Sequence, residues 1–338
     1  MTIPEHMTDR ATAALTGLAI GDALGMPSQA MTRSEITNAY GRITDFVAPI
    51  TDHPISHGLP AASVTDDTEQ TLLLAKLLIR SNGRIDDHAW ARALMDWETD
   101  VRQRGLRDLL GPSTKKALDA LLKGVPVTAT GCHGTTNGAA MRITPVAIAL
   151  PSDDAEALVA GVEKACRVTH NTREAIAAAA AVAMVVSRGI DGADFETTLP
   201  DALASARLGG ACGAMIGEAD MAGRIEAALA VASRNSEDQL AKTIGTSVAS
   251  HESVATAFGV VRLAKGDPWQ AAEIAANIGD DTDTIGAIAC AMAGACSGVN
   301  AFPNGKIDHV VRANSLDLDP LIRGLLSIRK GRSDGAAR

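Results

Sequence analysis

Apolar residues recur three and four positions apart along most of the chain, the spacing that lays one stripe down an α-helix. The pattern predicts helices over residues 9–24, 67–79, 86–101, 113–122, 154–168, 173–186, 224–232, 254–263, 269–278, 284–296 and 320–328. Gly83, Gly105, Gly124, Gly189, Gly266 and Gly279 stand where these helices are expected to stop. Pro112, Pro200, Pro268 and Pro320 stand where helices are expected to start. No stretch alternates as a half-buried strand would. The expectation is an all-α fold, a single compact multi-helix bundle over residues 1–338, since neither a linker nor a composition shift divides the chain. Two irregular segments interrupt the pattern. Residues 41–64 carry three prolines and two histidines and are long for a connection, the mark of a functional loop or lid. Residues 123–143 run through glycines toward a helix.

Composition sharpens this picture. Aromatic residues are 2% of the chain, so the core must be built from small side chains, which favours close helix-on-helix packing. A formal net charge of −9 disfavours a nucleic-acid or anionic-membrane partner and leaves a small-molecule or modified-protein substrate. The five cysteines form no CxxC, which fits a reducing compartment. The opening MTIPEHMTDR is not a signal peptide, and the longest apolar run, 176–186, is too short to span a bilayer. These features together predict a cytoplasmic protein without a membrane partner.

The candidate chemistry lies in two similar clusters, VTDDTEQTLLLA and NIGDDTDTIGAI, each opening into an apolar helical pattern. Thr and Asp are favoured N-caps, acidic first turns offset the helix dipole, and Asp66 and Glu69 have capping-box spacing. Capping needs one oxygen, however, and each cluster supplies several. Residues two apart cannot share a face of a regular helix, so Asp281 and Asp283 converge only where the chain turns, and Gly279 supplies that freedom. Carboxylate and hydroxyl oxygens without His or Cys suit hard cations such as Mg²⁺, Mn²⁺ or Ca²⁺. If the clusters meet in space, one or two such ions relieve their repulsion. Two ions about 3.5–4 Å apart can orient hydroxyls and activate a water.

With GLAIGDALGMPSQ, TNGAAMRITPVAI and VTHNTREA, these clusters complete five motifs spread over nearly the whole chain. In this order they resemble the ADP-ribosylglycohydrolase family. The resemblance implies an all-helical bundle with two Mg²⁺ or Mn²⁺ ions. Thr65, Asp66 and Asp67 match one half of the metal site; Asp281, Asp283 and Thr284 match the other, with Asp280 a neighbour. Asn137 and Gly138 resemble the segment that holds ribose and phosphates, and His170 the family's ligand-binding histidine. Read from the residues alone, His170 is rather a helix-end histidine, a cation there suiting the dipole. Asp22 reads as structural, Met141 as core, and Arg142 as a partner of site carboxylates or of phosphate.

Two departures stand out. Relatives commonly carry a glutamate where this chain has Gln29, which cannot act as a base, and some carry an acid just before Asn-Gly, where this chain reads GTTNG. Glu35, His53 and His57 are the remaining candidates for proton transfer. The resemblance implies hydrolysis of an N- or O-glycosidic bond at ribose C1 of an ADP-ribosyl group, in a small substrate or on a protein. The alternatives are a hydrolase of a smaller riboside or nucleoside, and a non-catalytic crystallin-like binding protein.

Overall fold

The structure is a computed structural model and describes residues 3–105, 111–216, 220–234 and 236–336. Among these there are seventeen α-helices and no strand. They are α1 (Glu5–Gly25), α2 (Arg33–Tyr40), α3 (Asp66–Arg80), α4 (Asp87–Gln103), α5 (Pro112–Leu122), α6 (Gly138–Met141), α7 (Thr144–Ala149), α8 (Ala155–Cys166) and α9 (Arg173–Ile190). The second half holds α10 (Phe195–Gly209), α11 (Met221–Ala232), α12 (Glu237–Ile244), α13 (Ser250–Leu263), α14 (Pro268–Ala276), α15 (Thr282–Ser297), α16 (Lys306–Ala313) and α17 (Asp319–Ala336). Several starts carry the cap that the sequence provides. Asp86, Asp154, Thr172, Asp194, Asp220, Ser236 and Asp267 each accept a hydrogen bond from a backbone N–H of the first turn.

Helix α15 forms the centre, with every residue from Thr282 to Cys296 buried. It packs against α1, α9, α13 and α14, and its closest partner is α1. The two backbones approach so nearly that a Cβ added to Gly21 would lie 2.0 Å from the Gly286 carbonyl oxygen, and one added to Gly294 2.3 Å from that of Ala13. Only glycine fits there. Overpacking a well-filled core costs about 1–3 kcal/mol, and rigid backbone cannot yield as a side chain can. Gly286→Ala is therefore expected to lower the melting temperature by several degrees; an unchanged melt would show that α1 can stand off from α15 without cost.

Three isolated bridges staple loops to one another: Met31 with Asp280, Thr136 with Ala249, and Thr172 with Ala214. The buried apolar side chains form one continuous cluster. All five cysteines are free. Among the described residues no helix is long and apolar enough to cross a membrane.

The eleven helices read from periodicity are all present. The structure adds α2, α6, α7, α10, α12 and α16. Pro200 does not start a helix: it sits in the second turn of α10, on its exposed face, where the lost backbone bond is left to solvent. Gly189 does not stop one. Helix α9 runs on to Ile190, and the missing Cβ of Gly189 gives room to the backbone of Ala295, 2.8 Å away.

Candidate functional site

Two helix N-termini meet against the side of α1. Thr65 is the N-cap of α3 and Asp66 and Asp67 begin it; Asp281 is the N-cap of α15, with Asp283 and Thr284 in its first turn. The Thr284 hydroxyl lies 3.4 Å from Asp67 Oδ2, so the two clusters, 217 residues apart in the chain, touch. The turn that lets Asp281 and Asp283 converge is present: Gly279 has φ +92° and Asp280 φ +62°. Asp280 stays exposed, while its backbone exchanges hydrogen bonds with Ala30 (2.7 Å) and Met31 (2.8 Å).

Asp22, fully buried on α1, is the hinge of this arrangement. It accepts hydrogen bonds from the Thr65 backbone N–H (3.0 Å) and hydroxyl (2.8 Å), and from the Thr68 N–H (3.1 Å) and hydroxyl (2.5 Å). It thereby caps α3 from another helix. The capping box expected of Asp66 and Glu69 is absent, because Asp66 lies inside the helix and Glu69 instead accepts from Trp97 (2.7 Å) and Arg104 (2.7 and 2.8 Å).

The carboxylates are held under electrostatic tension. Burial pushes Asp22 up to about 6, against the hydrogen bonds from Thr68 and Thr65. Burial raises Asp281 to about 7, its bond from Asn137 opposing. Asp66, Asp67 and Asp283 rise well above the usual carboxylate range, first through burial and then through one another and Asp22 or Asp281. Oxygens of Asp22, Asp67 and Asp283 all lie within 4.8 Å of one another. Asp67 Oδ1 is buried with no hydrogen-bond partner. An orphaned anionic oxygen among all-oxygen donors fits a hard divalent cation. Asp22, with its oxygens engaged by four donors, braces the cluster and leaves ligation to the residues around it.

The cluster opens on a cavity of about 240 Å³ lined by Gln29, Asp66, Asn137, Gly138, Asp281, Asp283 and Thr284, together with Thr136, Met141 and Ile55. Larger, more open grooves elsewhere contain none of the cluster's carboxylates. Thr65, Asp67 and His170 lie behind the wall. Asn137 Nδ2 donates to Ser253 Oγ (2.8 Å) and to Asp281 Oδ2, fixing that carboxylate. Gly138 makes room for His170, whose ring would stand 2.8 Å from an added Cβ. His170 is no helix-end cation, since burial and the nearby Arg142 hold it well below the usual imidazole range. Met141 is both core and wall. Arg142, buried, donates to Gln70 Oε1 (2.5 Å), and Gln70 Nε2 donates to Asp66 Oδ2 (3.1 Å), so the arginine meets a site carboxylate at second hand.

Gln29 Nε2 donates to Ser56 Oγ (2.6 Å), tying the long 41–64 loop to the wall. His53 Nδ1 accepts from the Ile55 and Ser56 backbone N–H groups (3.2 and 2.8 Å), holding the turn that presents Ser56. Glu35 closes the capping box of α2 with Thr32, and His57 is exposed; neither lines the cavity. Asp22, read from the sequence as structural, holds the start of α3, while Gln70 carried no signal in the sequence.

Comparison with known proteins supplies the remaining findings. The family model for ADP-ribosylglycohydrolase matches residues 4–334. The uncharacterized protein YegU of Escherichia coli is 34% identical over 330 residues, covering 96% of this chain and 98% of its own. ADP-ribosylarginine hydrolase Tri1 of Pseudomonas putida is 30% identical over 91% of this chain and 76% of its own. The ADP-ribosyl-[dinitrogen reductase] glycohydrolase of Rhodospirillum rubrum is 31% identical over 48% of this chain and 52% of its own. A solved structure described as an ADP-ribosylglycohydrolase-related protein complex superposes with a TM-score of 0.68, at 24% identity, over 97% of this chain and 99% of that one, and shares the fold.

Proposed function

The chain belongs to the ADP-ribosylglycohydrolase family, whose chemistry is hydrolysis of ADP-ribosyl linkages, and on that premise we propose a divalent-metal-dependent hydrolase that cleaves an N- or O-glycosidic bond at ribose C1 of an ADP-ribosyl group. The observation that carries this reading is the buried carboxylate cluster, with an orphaned Asp67 oxygen, opening on a cavity. Thr65, Asp66, Asp67, Asp281, Asp283 and Thr284 would hold two Mg²⁺ or Mn²⁺ ions. When bound, such ions supply positive charge that orients ribose hydroxyls and acidifies a water.

The chain's own residues do the rest. Asp66, Asp281 and Asp283 bring their carboxylates to the cavity wall, where the ions would be held beside a transition state resembling an oxocarbenium ion. Asn137 and Gln70 hold Asp281 and Asp66 in place, and Met141 and Ile55 exclude water. Gln29 cannot take a proton, so proton transfer at this site does not run through position 29.

A smaller riboside is the second reading. A volume near 240 Å³ is below the roughly 300–1,000 Å³ usual for ligand pockets. ADP-ribosylarginine and ADP-ribosylserine peptides and a panel of simple ribosides, each incubated in Mg²⁺ and in EDTA, separate the two. Release of ADP-ribose from a peptide in Mg²⁺, abolished by EDTA, is the expected result. Release from simple ribosides alone supports the second reading, and release from none defeats both.

A further inference from the structure

Thr136 stands just before Asn137 on the cavity wall, its backbone pinned by the bridge to Ala249. Behind it runs a chain of side chains whose hydrogen-bond directions can be assigned one by one. Arg142 Nη2 lies 2.5 Å from Thr169 Oγ1, and a guanidinium can only donate. Thr169 Oγ1 lies 2.7 Å from His170 Nδ1, and Arg142 Nη2 is itself 3.4 Å from that nitrogen. A protonated Nδ1 would face the arginine donor head-on, so Nδ1 is the accepting nitrogen and the Thr169 hydroxyl donates to it. Burial and the arginine charge keep His170 neutral, so its one proton sits on Nε2. Nε2 is 2.9 Å from Thr136 Oγ1 and therefore donates to it. The Thr136 proton has no protein acceptor among the described residues, and its residue borders the cavity.

We propose that Arg142, Thr169 and His170 are positioning residues that fix the Thr136 hydroxyl as a donor into the cavity, where it selects a substrate with a charged acceptor oxygen. On the function proposed above, which this inference extends, that oxygen is a phosphate oxygen of the ADP-ribosyl group. The histidine thus acts on substrate through Thr136 rather than by contact. A hydrogen bond to a charged acceptor contributes more than one to a neutral acceptor, so phosphate-bearing ribosides should lose more than neutral ones when the hydroxyl is removed.

Two measurements decide the matter. The first is the ¹⁵N-histidine spectrum of the wild type without added metal, with the His170 signals assigned by their loss in His170→Asn. The expected species is the Nε2–H tautomer; Nδ1–H or a doubly protonated ring overturns the relay whatever the protein hydrolyses. The second is ADP-ribose affinity together with steady-state kinetics on an ADP-ribosyl peptide, in Thr136→Val and Thr136→Ser. Thr136→Val should weaken ADP-ribose binding and raise KM tenfold or more with kcat little changed, and Thr136→Ser should restore both. Equal affinity in the wild type and Thr136→Val overturns the proposal. A wild type that neither binds ADP-ribose nor cleaves the peptide refutes the proposed function, and the phosphate assignment with it, while the tautomer still tests the relay.

Discussion

The Asp67→Asn substitution is expected to lower hydrolysis on the order of 10³-fold and, in chelator, to raise the melting temperature. The two effects have one cause. Asp67 is buried, its Oδ1 has no partner, and Asp22, Asp283, Asp66 and Asp281 all push its acidity in the same direction. Without a cation an ionised Asp67 is a liability, and an amide in its place removes one of several repelling charges while offering its N–H groups to the neighbours. With a cation the same carboxylate is a ligand, and its loss forfeits several kcal/mol of charge stabilisation. Mg²⁺ or Mn²⁺ should accordingly raise the melting temperature of the wild type and hardly that of Asp67→Asn.

The pH dependence in chelator has a definite sign. Each cluster carboxylate has a folded-state value above its unfolded one, with Asp22 at about 6 and Asp281 at about 7. Folding therefore favours the protonated form. Their contribution to stability is full below the ordinary carboxylate range and is lost as pH rises toward 7. Saturating Mg²⁺, which binds the ionised form, should flatten that decline. A melting temperature indifferent to Mg²⁺, with the same pH profile in wild type and Asp67→Asn, would sink the cation site.

Much of this arrangement could be read from the residues in order. The helical spacing marked α1, α3, α9 and α15, and the threonine and aspartate clusters marked the two N-termini that meet. What could not be read was their registration. It depends on Gly21 meeting Gly286 across two helices far apart in sequence, and a one-dimensional pattern carries no information about which glycines face each other. The same gap hid the partners of Asp22: a carboxylate inside an apolar helix reads as structural, but only the fold brings its four donors from the start of α3. The short helices α2, α12 and α16 escaped because each is eight residues long, too brief for periodicity to separate from chance. Helix α10 was obscured by Pro200, whose cost is small near an exposed helix start. His170 was legible as a special residue, while its role was not, since the Thr169 and Arg142 contacts that set its tautomer arise only in the fold.

The Gln29→Glu substitution is expected to lower kcat/KM on the true substrate, on the order of 10²-fold, rather than to supply a missing base. In relatives of the kind this sequence resembles, a carboxylate commonly stands near this position, and a general base is typically worth about 10²- to 10⁴-fold. Restoring it would then be expected to help. The structure argues the other way. Gln29 donates through Nε2 to Ser56 and so ties the 41–64 loop to the wall. Glutamate can keep the tether by accepting from the Ser56 hydroxyl, so the change isolates charge from loop position. The added charge would join Asp66, Asp281 and Asp283 around one cavity of about 240 Å³. Opposing several like charges in a partly buried site costs about 2–3 kcal/mol, or would draw a bound cation toward residue 29. Thr136, just before the Asn-Gly pair, carries a hydroxyl held by His170, so it and Gln29 read as parts of one uncharged wall facing the carboxylates. Initial rates of wild type and Gln29→Glu on an ADP-ribosylarginine peptide, an ADP-ribosylserine peptide and simple ribosides, at saturating Mg²⁺, make the comparison. A glutamate variant faster than wild type on the peptides, with the wild type inert on every simple riboside, would show that Gln29 is a lost base and not a remodelled contact.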